Sequence, residues 1–290
     1  MKLTVFTPTY NRAYIIENLY RSLQRQTCFD FEWLVVDDGA ADGTEALFGR
    51  ICAEDNPFPV RYFRKENGGK HSAINYGLDR AEGELFMVID SDDQLVAEAV
   101  EKVIFWDAEL PRDGGFCCVA GNLGTSETYT PNRIFEDRFF DGTALDRYAD
   151  VNGEKAMAFY TDIHRRYKYP LFDGERFMTE AVTWNRMAAD GYKIRFFNDI
   201  ICVYEYREDG LTMAGSRLFL DNPKGYGLWM REKAGFEGAG VKEKLKMYYT
   251  FTCDLEDRLP YRDIAKCIGA PVLLVGAIKL LRKLLKLIKR

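Results

Sequence analysis

Strand-like and helix-like segments alternate along the first part of the chain, and this alternation restricts the fold more than any other feature. Residues with helical spacing of their apolar positions separate the strand-like runs and lie at 15–26, 44–52, 72–81 and 97–110. The strand-like runs lie at 3–6, 31–36, 60–63, 85–89 and 116–121. Strands joined through helices of this length are typically parallel, so the sequence predicts an α/β fold with a Rossmann-like, mostly parallel central sheet flanked by helices.

A cluster of polar residues follows each of the strand-like runs that begin at residues 3, 31, 60 and 85. These clusters lie at residues 7–12, 37–44, 67–71 and 90–93. Parallel sheets bind ligands at the carboxyl ends of their strands. The four clusters are therefore expected to converge on one ligand site.

The last of these clusters concentrates negative charge. The apolar run 85–89 leads directly into Asp90, Ser91, Asp92 and Asp93. Like charges at this spacing repel, and a buried strand that ends on them is costly unless a cation neutralises them. Two of these carboxylates can address one hard cation together with a phosphate. The alternative is a solvated turn, because Asp and Ser are common turn formers.

Composition excludes some classes of function. The formal net charge of −5 argues against a nucleic-acid-binding protein, for which a basic domain is expected. The seven cysteines show no Cys-x-x-Cys spacing, which indicates a reducing compartment and mostly buried thiols. The two histidines, His71 and His164, give little support for a histidine zinc site or a Ser-His-Asp triad.

The pattern loosens after residue 122. Further strands are predicted at 156–161, 193–197 and 201–206, and further helices at 143–148, 177–189, 216–232 and 242–255. The final segment, 261–290, differs because it has no acidic residue after Asp263. Its basic residues recur at helical spacing against an apolar set; the basic residues are Lys279, Arg282, Lys283, Lys286 and Arg290, and the apolar ones Ile278, Leu281, Leu284, Leu285 and Ile288.

Such a basic amphipathic helix can lie in the interface of an anionic membrane, or its apolar face can pack on its own domain or in a dimer. No run reaches the roughly 20 apolar residues that a spanning helix needs. The N-terminus lacks the apolar region of a signal peptide. The expected location is cytoplasmic, peripheral on the inner face of the membrane.

Four motifs stand in one order: Thr7-Pro8-Thr9-Tyr10-Asn11-Arg12, Val35-Val36-Asp37-Asp38-Gly39, Asn67-Gly68-Gly69-Lys70-His71 and Asp90-Ser91-Asp92-Asp93. Together they resemble the family 2 glycosyltransferases, inverting enzymes of the GT-A fold, and specifically the bacterial members that build surface polysaccharide. The resemblance is close over residues 2–95 and looser to about 212. It implies a nucleotide-sugar-binding half at 1–122, an acceptor-binding and catalytic half at 123–215, and a C-terminal helical region at 216–290 with the basic tail.

The resemblance implies a set of donor-binding residues: Thr7, Pro8, Tyr10, Arg12, Asp38, Asn67, Gly69, Lys70, Asp90, Ser91 and Arg207. A carboxylate at Asp38 can accept a hydrogen bond from a uracil imide N–H, which favours UDP over an adenine nucleotide. Lys70 would offset the charge of the diphosphate, or be a solvated surface lysine. Arg207 could reach the diphosphate, or pair with Glu205 or Glu208.

Asp90 and Asp92 match the DXD motif of the family. By this resemblance Asp92 would coordinate Mg²⁺ or Mn²⁺ that bridges the two phosphates, with Asp90 near the ribose or completing the metal shell. Asp93 could share the role, and the sequence leaves open which carboxylate is the principal ligand. The metal would offset charge on the leaving group.

An inverting transfer needs a base for the acceptor hydroxyl, and the family usually places it in a Glu-Asp pair that opens a helix. The matching place is Glu180, with Ala181 in the position of the usual Asp. Glu180 is the expected base, with Asp173 and Glu175 as reserves. The alternative is that Glu180 only stabilises the helix N-terminus.

The resemblance thus implies metal-dependent transfer of a sugar, with inversion, from a UDP-sugar to a glycan or lipid-linked saccharide. One alternative is a sugar-nucleotide nucleotidyltransferase, which would be expected to carry a glycine-rich N-terminal phosphate loop, whereas residues 7–12 contain no glycine. Another is a non-catalytic nucleotide-sugar-binding protein, which Ala181 suggests.

Overall fold

The chain was analysed as a computed structural model that describes residues 1–146, 151–205, 207, 210–236, 238 and 240–288. It divides into two compact units. The sheet unit comprises Met1–Tyr169 and Arg186–Tyr206, and the helical unit comprises Pro170–Asn185 and Arg207–Arg290. The division by function that the sequence suggests, with boundaries after residues 122 and 215, remains a prediction.

The first part of the sheet unit alternates strands and helices as predicted. Its elements are β1 (Leu3–Thr9), α1 (Ile16–Gln24), β2 (Phe31–Asp37), α2 (Thr44–Ile51), β3 (Val60–Arg64), α3 (Lys70–Leu78), β4 (Leu85–Val88), β5 (Gln94–Leu95), α4 (Ala99–Ala108) and β6 (Phe116–Gly124). The elements that follow are β7 (Phe139–Gly142), β8 (Lys155–Tyr160), α5 (Thr161–Arg166), α6 (Ala181–Ala189) and β9 (Lys193–Val203).

The strands form one sheet in the order β3-β2-β1-β4-β8-β6-β9-β5, and β7 pairs with β9. The pairs β1–β2, β1–β4, β2–β3 and β6–β9 are parallel. Strand β8 lies antiparallel between β4 and β6. The predicted α/β architecture is confirmed, with its parallel part concentrated at the β3-β2-β1-β4 side, where the polar clusters lie.

The sheet is held by an apolar core that covers it from both sides. Every residue of β1 and β2 is buried, as expected for parallel strands with helices on both faces. Tyr20 of α1 stacks on Trp33 of β2 with ring centroids 5.6 Å apart, and Trp33 also packs on Phe48 of α2. Full burial of one large apolar side chain contributes about 1.5–3 kcal/mol, so these contacts fix the helices that follow the polar clusters 7–12 and 37–44.

Three local predictions after residue 122 differ from the structure. The runs 193–197 and 201–206 form the single strand β9 up to Val203, and Tyr206 lies outside the described residues. Asn198, which lies between the two predicted runs, stays in the strand, and its side-chain amide donates to the carbonyls of Phe135 (3.1 Å) and Asp137 (2.8 Å).

The helix predicted at 143–148 is a turn over the part that is described, because Asp146 Oδ2 accepts the backbone N–H (2.7 Å) and hydroxyl (2.8 Å) of Thr143. Residues 147 and 148 lie outside the described part. The helix predicted to start at residue 177 begins at Ala181.

The helical unit contains α7 (Leu211–Ala214), α8 (Ser216–Asp221), α9 (Pro223–Phe236), α10 (Val241–Leu255), α11 (Tyr261–Ile268) and α12 (Val272–Ile288). The helix predicted at 216–232 is divided at Asn222, whose side-chain oxygen accepts the N–H groups of Arg176 (2.8 Å) and Phe177 (3.1 Å). Pro223 then starts α9 in the first-turn position that proline tolerates.

The helix predicted over 261–290 is likewise two helices. Gly269 ends α11 in the left-handed conformation with φ 66°, and Pro271 precedes α12. The core of this unit consists of Phe251, Leu255, Ile264, Ala265, Ile268 and Val275. Among the residues that the structure describes, no helix is long and apolar enough to cross a bilayer.

Candidate functional site

The carboxyl ends of β1 to β4 are aligned by the register of the sheet. Thr9 lies opposite Asp37, Asp37 opposite Arg64, and Phe6 opposite Val88. The chain leaves all four strands at the same edge, where the four polar clusters follow. The convergence predicted from the sequence is therefore realised within the sheet unit.

Two reciprocal hydrogen bonds join the loops after β1 and β2. The side-chain oxygen of Asn11 accepts the N–H of Ala41 (2.8 Å), and Asp42 Oδ2 accepts the N–H of Ala13 (2.9 Å). Asn11 has φ 54°, a left-handed conformation that asparagine tolerates better than most residues. Asp42 Oδ1 also accepts the N–H of Thr44, the first residue of α2 (3.1 Å). The first loop is thus held against the second without any ligand.

Within the first loop, the predicted donor-binding residues differ in exposure. Thr7 and Pro8 are buried, and the Thr7 hydroxyl accepts the indole N–H of Trp33 (3.1 Å). Tyr10 is 48% exposed, and Arg12 donates to the Tyr14 hydroxyl (2.6 Å). Of these residues, Tyr10 and Arg12 have side chains accessible to a donor, whereas Thr7 shapes the loop from beneath.

Asp38 binds the third loop to the second. Its Oδ1 accepts hydrogen bonds from Lys65 Nζ (2.7 Å) and the N–H of Gly68 (2.9 Å), and its Oδ2 accepts the N–H of Gly69 (2.7 Å). The side chain is almost fully buried. The sequence suggested a contact between Asp38 and a nucleotide base, which stays a prediction. The geometry gives Asp38 a second task, which is to fix the loop before α3.

Asp38→Asn is expected to destabilise this loop, because an amide keeps one acceptor oxygen and turns an N–H₂ group toward the donors that Asp38 now accepts. Hydrogen bonds to a charged group are worth about 1.5–3 kcal/mol each, so the expected loss of stability is about 2–4 kcal/mol. Thermal unfolding measures the loss, and hydrogen exchange of the Gly68 and Gly69 amides shows whether it is local. Asp42→Asn is the matched control, since it should leave those two amides protected.

If Asp38 contacts only the nucleotide base and does not stabilise the loop, the expected result of the substitution is different. Asp38→Asn would then change the preference between UDP and other nucleotides, with the melting temperature and the exchange of both glycine amides unchanged. That result would show that the hydrogen bonds to the loop contribute nothing measurable.

The third loop depends on glycine at the position before α3. Gly69 has φ 88° and ψ 161°, a region that only glycine occupies readily. This conformation starts α3 at Lys70, two residues earlier than the sequence pattern suggested, and places His71 in its first turn. The N-terminus of the helix, with its partial positive charge, therefore faces the same edge of the sheet as the acidic cluster. A diphosphate is the kind of group that such an N-terminus favours.

Lys70 and Asp90 are brought together. Lys70 Nζ lies 2.8 Å from Asp90 Oδ1 and 2.9 Å from Asp90 Oδ2. Both residues were predicted to bind the donor, and here they form an ion pair that is partly exposed. Such a pair contributes little stability by itself, so a phosphate can compete with Asp90 for the lysine.

Asp92 and Asp93 lie in an environment that disfavours their charge. Burial, and then the neighbouring Asp90, raise the pKa of Asp92, against which Arg12 and Lys70 act. Burial and repulsion from both other aspartates raise the pKa of Asp93 well above its usual range. Negative charge is concentrated here beyond what Lys70 and Arg12 neutralise.

Two interactions of Asp93 could not be predicted from the sequence. Asp93 hydrogen-bonds the buried thiol of Cys202 in β9, which, after burial, helps to raise the pKa of that thiol. Glu154, just before β8, adds further negative potential. Both residues are more than 50 positions from Asp93 in the chain, and only the pairing of the strands brings them to the site.

These aspartates fit a divalent cation of the hard, oxygen-binding kind. The ligands are carboxylate oxygens, and a cation would relieve the repulsion that raises the pKa of Asp92 and Asp93. In the part of the chain that the structure describes, no group of three or more His, Cys, Asp or Glu side chains is arranged as a metal site. Mg²⁺ is commonly bound by one or two carboxylates together with substrate phosphates, and that arrangement matches these residues.

Glu180 lies directly before α6 in the helical unit. Its carbonyl oxygen accepts the N–H groups of Thr183 (3.1 Å) and Trp184 (3.3 Å), and its side chain is half-buried. The predicted position at the opening of a helix is thus observed, while its role as base stays a prediction. Arg207, the last of the predicted donor-binding residues, also belongs to the helical unit and is half-buried.

The two reserve bases differ from Glu180. Both carboxylate oxygens of Glu175 accept N–H groups at the start of α9, from Lys224 (2.7 Å) and Gly225 (2.9 Å). Glu175 is therefore a helix cap. The side chain of Asp173 is exposed, and its carbonyl oxygen accepts Lys224 Nζ (2.7 Å).

A separate recess of about 470 Å³ lies on the sheet unit. Lys102, the residues 127–130, Ile134 and the residues 198–200 line it. Its volume is within the usual range for ligand sites of about 300–1,000 Å³. It shares no residue with the four clusters, so it is not the site that the predicted donor residues form.

Comparison with known proteins assigns these features to one family. The family model described as "Glycosyl transferase family 2" matches residues 4–175. A glucosyltransferase of Campylobacter jejuni, GalNAc(5)-diNAcBac-PP-undecaprenol beta-1,3-glucosyltransferase, is 25% identical over 74% of this chain and 69% of its own length. The chain spans only 33% and 31% of two other matching proteins, an uncharacterized glycosyltransferase of Mycoplasma genitalium and the glycosyltransferase GlyA of Streptococcus pneumoniae.

Two solved structures resemble the fold. Staphylococcus aureus TarS 1-349 in complex with UDP-GlcNAc aligns with a TM-score of 0.62 and 16% identity, over 92% of this chain and 84% of that one. The mannosyltransferase PcManGT of Pyrobaculum calidifontis, in complex with GDP-Man and Mn²⁺, aligns with a TM-score of 0.57 and 17% identity, over 96% and 86%. At these identities the likeness establishes the fold alone, which is the predicted GT-A fold.

Proposed function

Because the chain belongs to glycosyl transferase family 2, we propose that it transfers a sugar from a nucleotide-diphosphate donor to an acceptor hydroxyl. The observation that carries this proposal is the set of loops at the carboxyl edge of β1 to β4. Asp38 and the two reciprocal bonds of Asn11 and Asp42 fix three of these loops, and Lys70 links the third to the acidic cluster. Loops that are already fixed lose less conformational entropy when a ligand binds, so this arrangement favours binding.

The proposed donor is a UDP-sugar. Its diphosphate would lie between the N-terminus of α3, with Lys70, and the acidic cluster, and Arg12 and Arg207 are the further candidate cations. TarS has been solved with UDP-GlcNAc and PcManGT with GDP-Man, so both nucleotide classes occur on this fold. Asp38 favours the uracil base if one of its oxygens can also accept an imide N–H.

Asp92, with Asp90, would hold the Mg²⁺ or Mn²⁺ ion. When bound there, the ion supplies Lewis-acid compensation for the charge of the leaving diphosphate. Lys70 and the amides at the start of α3 act in the same sense, because they present positive charge and N–H groups to the phosphate oxygens. Tyr10 is exposed in the first loop, and in this proposal it contacts the nucleoside.

The proposed chemistry inverts the anomeric centre. The acceptor oxygen attacks the anomeric carbon, and the bond from that carbon to the phosphate oxygen breaks from the opposite side. The nucleoside diphosphate leaves with the bonding electrons. Glu180 receives the proton of the acceptor hydroxyl, which makes the oxygen a better nucleophile as the new bond forms.

The proposed acceptor is a glycan or a lipid-linked saccharide, and the proposed place is the inner face of the membrane, in surface-polysaccharide assembly. The Campylobacter jejuni relative acts, by its name, on a saccharide linked to undecaprenol diphosphate. The basic C-terminal segment suits a protein that works on such a substrate. A non-catalytic nucleotide-sugar-binding protein remains the second candidate, because Ala181 replaces the acid usual in the family.

A donor screen tests the proposal. Thermal unfolding is measured with each of a panel of UDP- and GDP-sugars, with Mn²⁺ and with EDTA. A ligand at about 100 times its Kd stabilises by about 2.7 kcal/mol, and one or more UDP-sugars are expected to do so with Mn²⁺ only. Release of UDP in the presence of a lipid-linked saccharide extract then measures transfer. Stabilisation without any UDP release would favour a non-catalytic nucleotide-sugar-binding protein. If no sugar nucleotide stabilises the chain, the proposal is contradicted.

A further inference from the structure

Two of the basic residues of the C-terminal helix α12, Lys279 and Arg282, face inward and not outward. Lys279 Nζ donates to the carbonyl oxygens of Glu256 (2.9 Å) and Leu259 (3.4 Å), and Arg282 forms an ion pair with Glu256 (3.2 Å). Both cations therefore face the end of α10, together with the buried Val275 and Ile278. They were expected on a polar face toward lipid headgroups, and for these two residues that expectation was wrong, because carbonyl groups just after α10 and the carboxylate of Glu256 attract them.

The outward face of α12 is a row of leucines. Leu273 is 87% exposed, Leu280 60%, Leu281 53% and Leu284 49%. Residues separated by 7, 8 and 11 positions lie on one side of a helix, so these four form a continuous apolar strip, which we call the leucine face. A helix that is apolar on both sides is normally covered on both sides.

Helix α10 contributes a second exposed strip beside it. Val241 is 77% exposed, Leu245 46% and Tyr249 42%, and they follow one another at intervals of four residues. The helices α10 and α12 contact each other, and Arg282 lies beside Tyr249 and Cys253. Three exposed lysines lie around the α10 strip, Lys242, Lys244 and Lys246, together with one exposed acidic residue, Glu243.

The charge around the leucine face is positive although the whole chain is acidic. Residues 264–290 contain seven lysines and arginines and no aspartate or glutamate, whereas the formal net charge of the chain is −5. Lys283 is exposed next to the leucines. A surface that combines exposed leucines with surrounding lysines is complementary to an anionic lipid layer, which offers hydrocarbon below and negative headgroups above.

We propose that the leucine face, with the strip on α10, inserts into the interface of an anionic lipid membrane, and that the lysines of α10 and Lys283 contact its headgroups. The cores of protein–protein interfaces are depleted in lysine and enriched in aromatic residues and arginine. Here the exposed set is mainly aliphatic and lies among lysines. The proposal builds on the proposed action at the membrane, and it assigns the insertion to leucines and excludes Lys279 and Arg282 from it.

Vesicle co-sedimentation of the full chain tests the proposal, with phosphatidylcholine alone and with an equimolar mixture of phosphatidylcholine and phosphatidylglycerol. The unaltered chain is expected to bind the mixture and not the neutral vesicles. The triple variant Leu280→Gln, Leu281→Gln and Leu284→Gln, which changes exposed side chains only, is expected to lower the partition coefficient about 100-fold. The matched variant Lys279→Gln with Arg282→Gln should lower the melting temperature and leave the partition coefficient of the folded protein within about twofold.

The proposal is overturned if vesicle binding survives the three leucine substitutions. It is also overturned if the folded Lys279→Gln and Arg282→Gln variant loses vesicle binding. Light scattering measures the molar mass in solution and so tests the alternative that a second copy of the chain covers the leucine face. A dimer that the leucine substitutions dissociate, with no vesicle binding by the unaltered chain, also overturns it. UDP binding, measured without vesicles, should be the same in the leucine variant and the unaltered chain, so failure of the membrane proposal is separate from failure of the proposed transferase function.

Discussion

Glu180→Gln is expected to lower kcat for sugar transfer by about 10²–10⁴-fold, the usual contribution of a general base. Glutamine keeps the size and the position of the side chain directly before α6, and it cannot take the acceptor proton. The affinity for the donor should remain unchanged, because the loops that are proposed to bind it belong to the sheet unit. Steady-state transfer kinetics and UDP titration of the same preparation measure the two quantities.

The two reserve bases serve as controls for this substitution. Asp173→Asn alters an exposed side chain and is expected to change neither kcat nor stability. Glu175→Gln removes the charge from a carboxylate that caps α9 through Lys224 and Gly225, so it should destabilise the chain by about 1–2 kcal/mol. If Glu180→Gln retains full activity and Asp173→Asn loses it, the base is Asp173 and the likeness of residue 180 to the family motif is misleading.

The strands that carry the proposed donor site were predictable from the sequence, because they depend on local patterns. Continuous apolar runs such as 31–36, each followed by a helix-like segment, predict parallel strands, and parallel strands bring their carboxyl ends to one edge. The place of β8 was not predictable. It enters between β4 and β6 from 31 positions or more away in the chain, and a pattern of local alternation carries no information about such an insertion.

Which clusters meet at this edge of the sheet was more predictable than the partners of their side chains. Asp38, Lys70 and Asp90 were each expected near the donor, but the hydrogen bonds of Asp38 to Gly68 and Gly69 join positions about 30 apart. The link from Asp93 to Cys202 spans more than 100 positions. These contacts follow from the register of the sheet, which the sequence specifies only through the packing of the whole core.

The C-terminal helix shows a different limit. Periodicity correctly indicated a helix with apolar and basic positions, and α12 covers most of that segment. The periodicity did not determine which side of α12 faces inward, because leucine and isoleucine occur all around this helix. Lys279 turns inward because the carbonyl groups of Glu256 and Leu259, just after α10, accept its hydrogen bonds, and Arg282 turns inward because it pairs with the carboxylate of Glu256.

Asp92→Asn is expected to remove the metal-dependent part of UDP binding. If Asp92 holds the cation that the diphosphate shares, its loss should weaken the affinity for UDP in Mn²⁺ by about 100-fold, since a coordinated carboxylate contributes several kcal/mol and 1.4 kcal/mol corresponds to tenfold. In EDTA the variant and the unaltered chain should bind UDP equally. Calorimetric titration with Mn²⁺, and again with EDTA, measures this difference.

Asp93→Asn is the matched substitution, because it removes the same charge one position along the chain. Asp93 is more deeply placed and is repelled by both Asp90 and Asp92, and it hydrogen-bonds a buried thiol, so its replacement should raise the melting temperature. If Asp92 is the principal ligand, Asp93→Asn leaves the Mn²⁺-dependent affinity within about threefold, well under the 1.4 kcal/mol that corresponds to a tenfold change. In the reverse result, Asp93→Asn alone removes the effect of Mn²⁺. That outcome would make Asp93 the principal metal ligand, and Asp92 would act only through its charge on the neighbouring carboxylates.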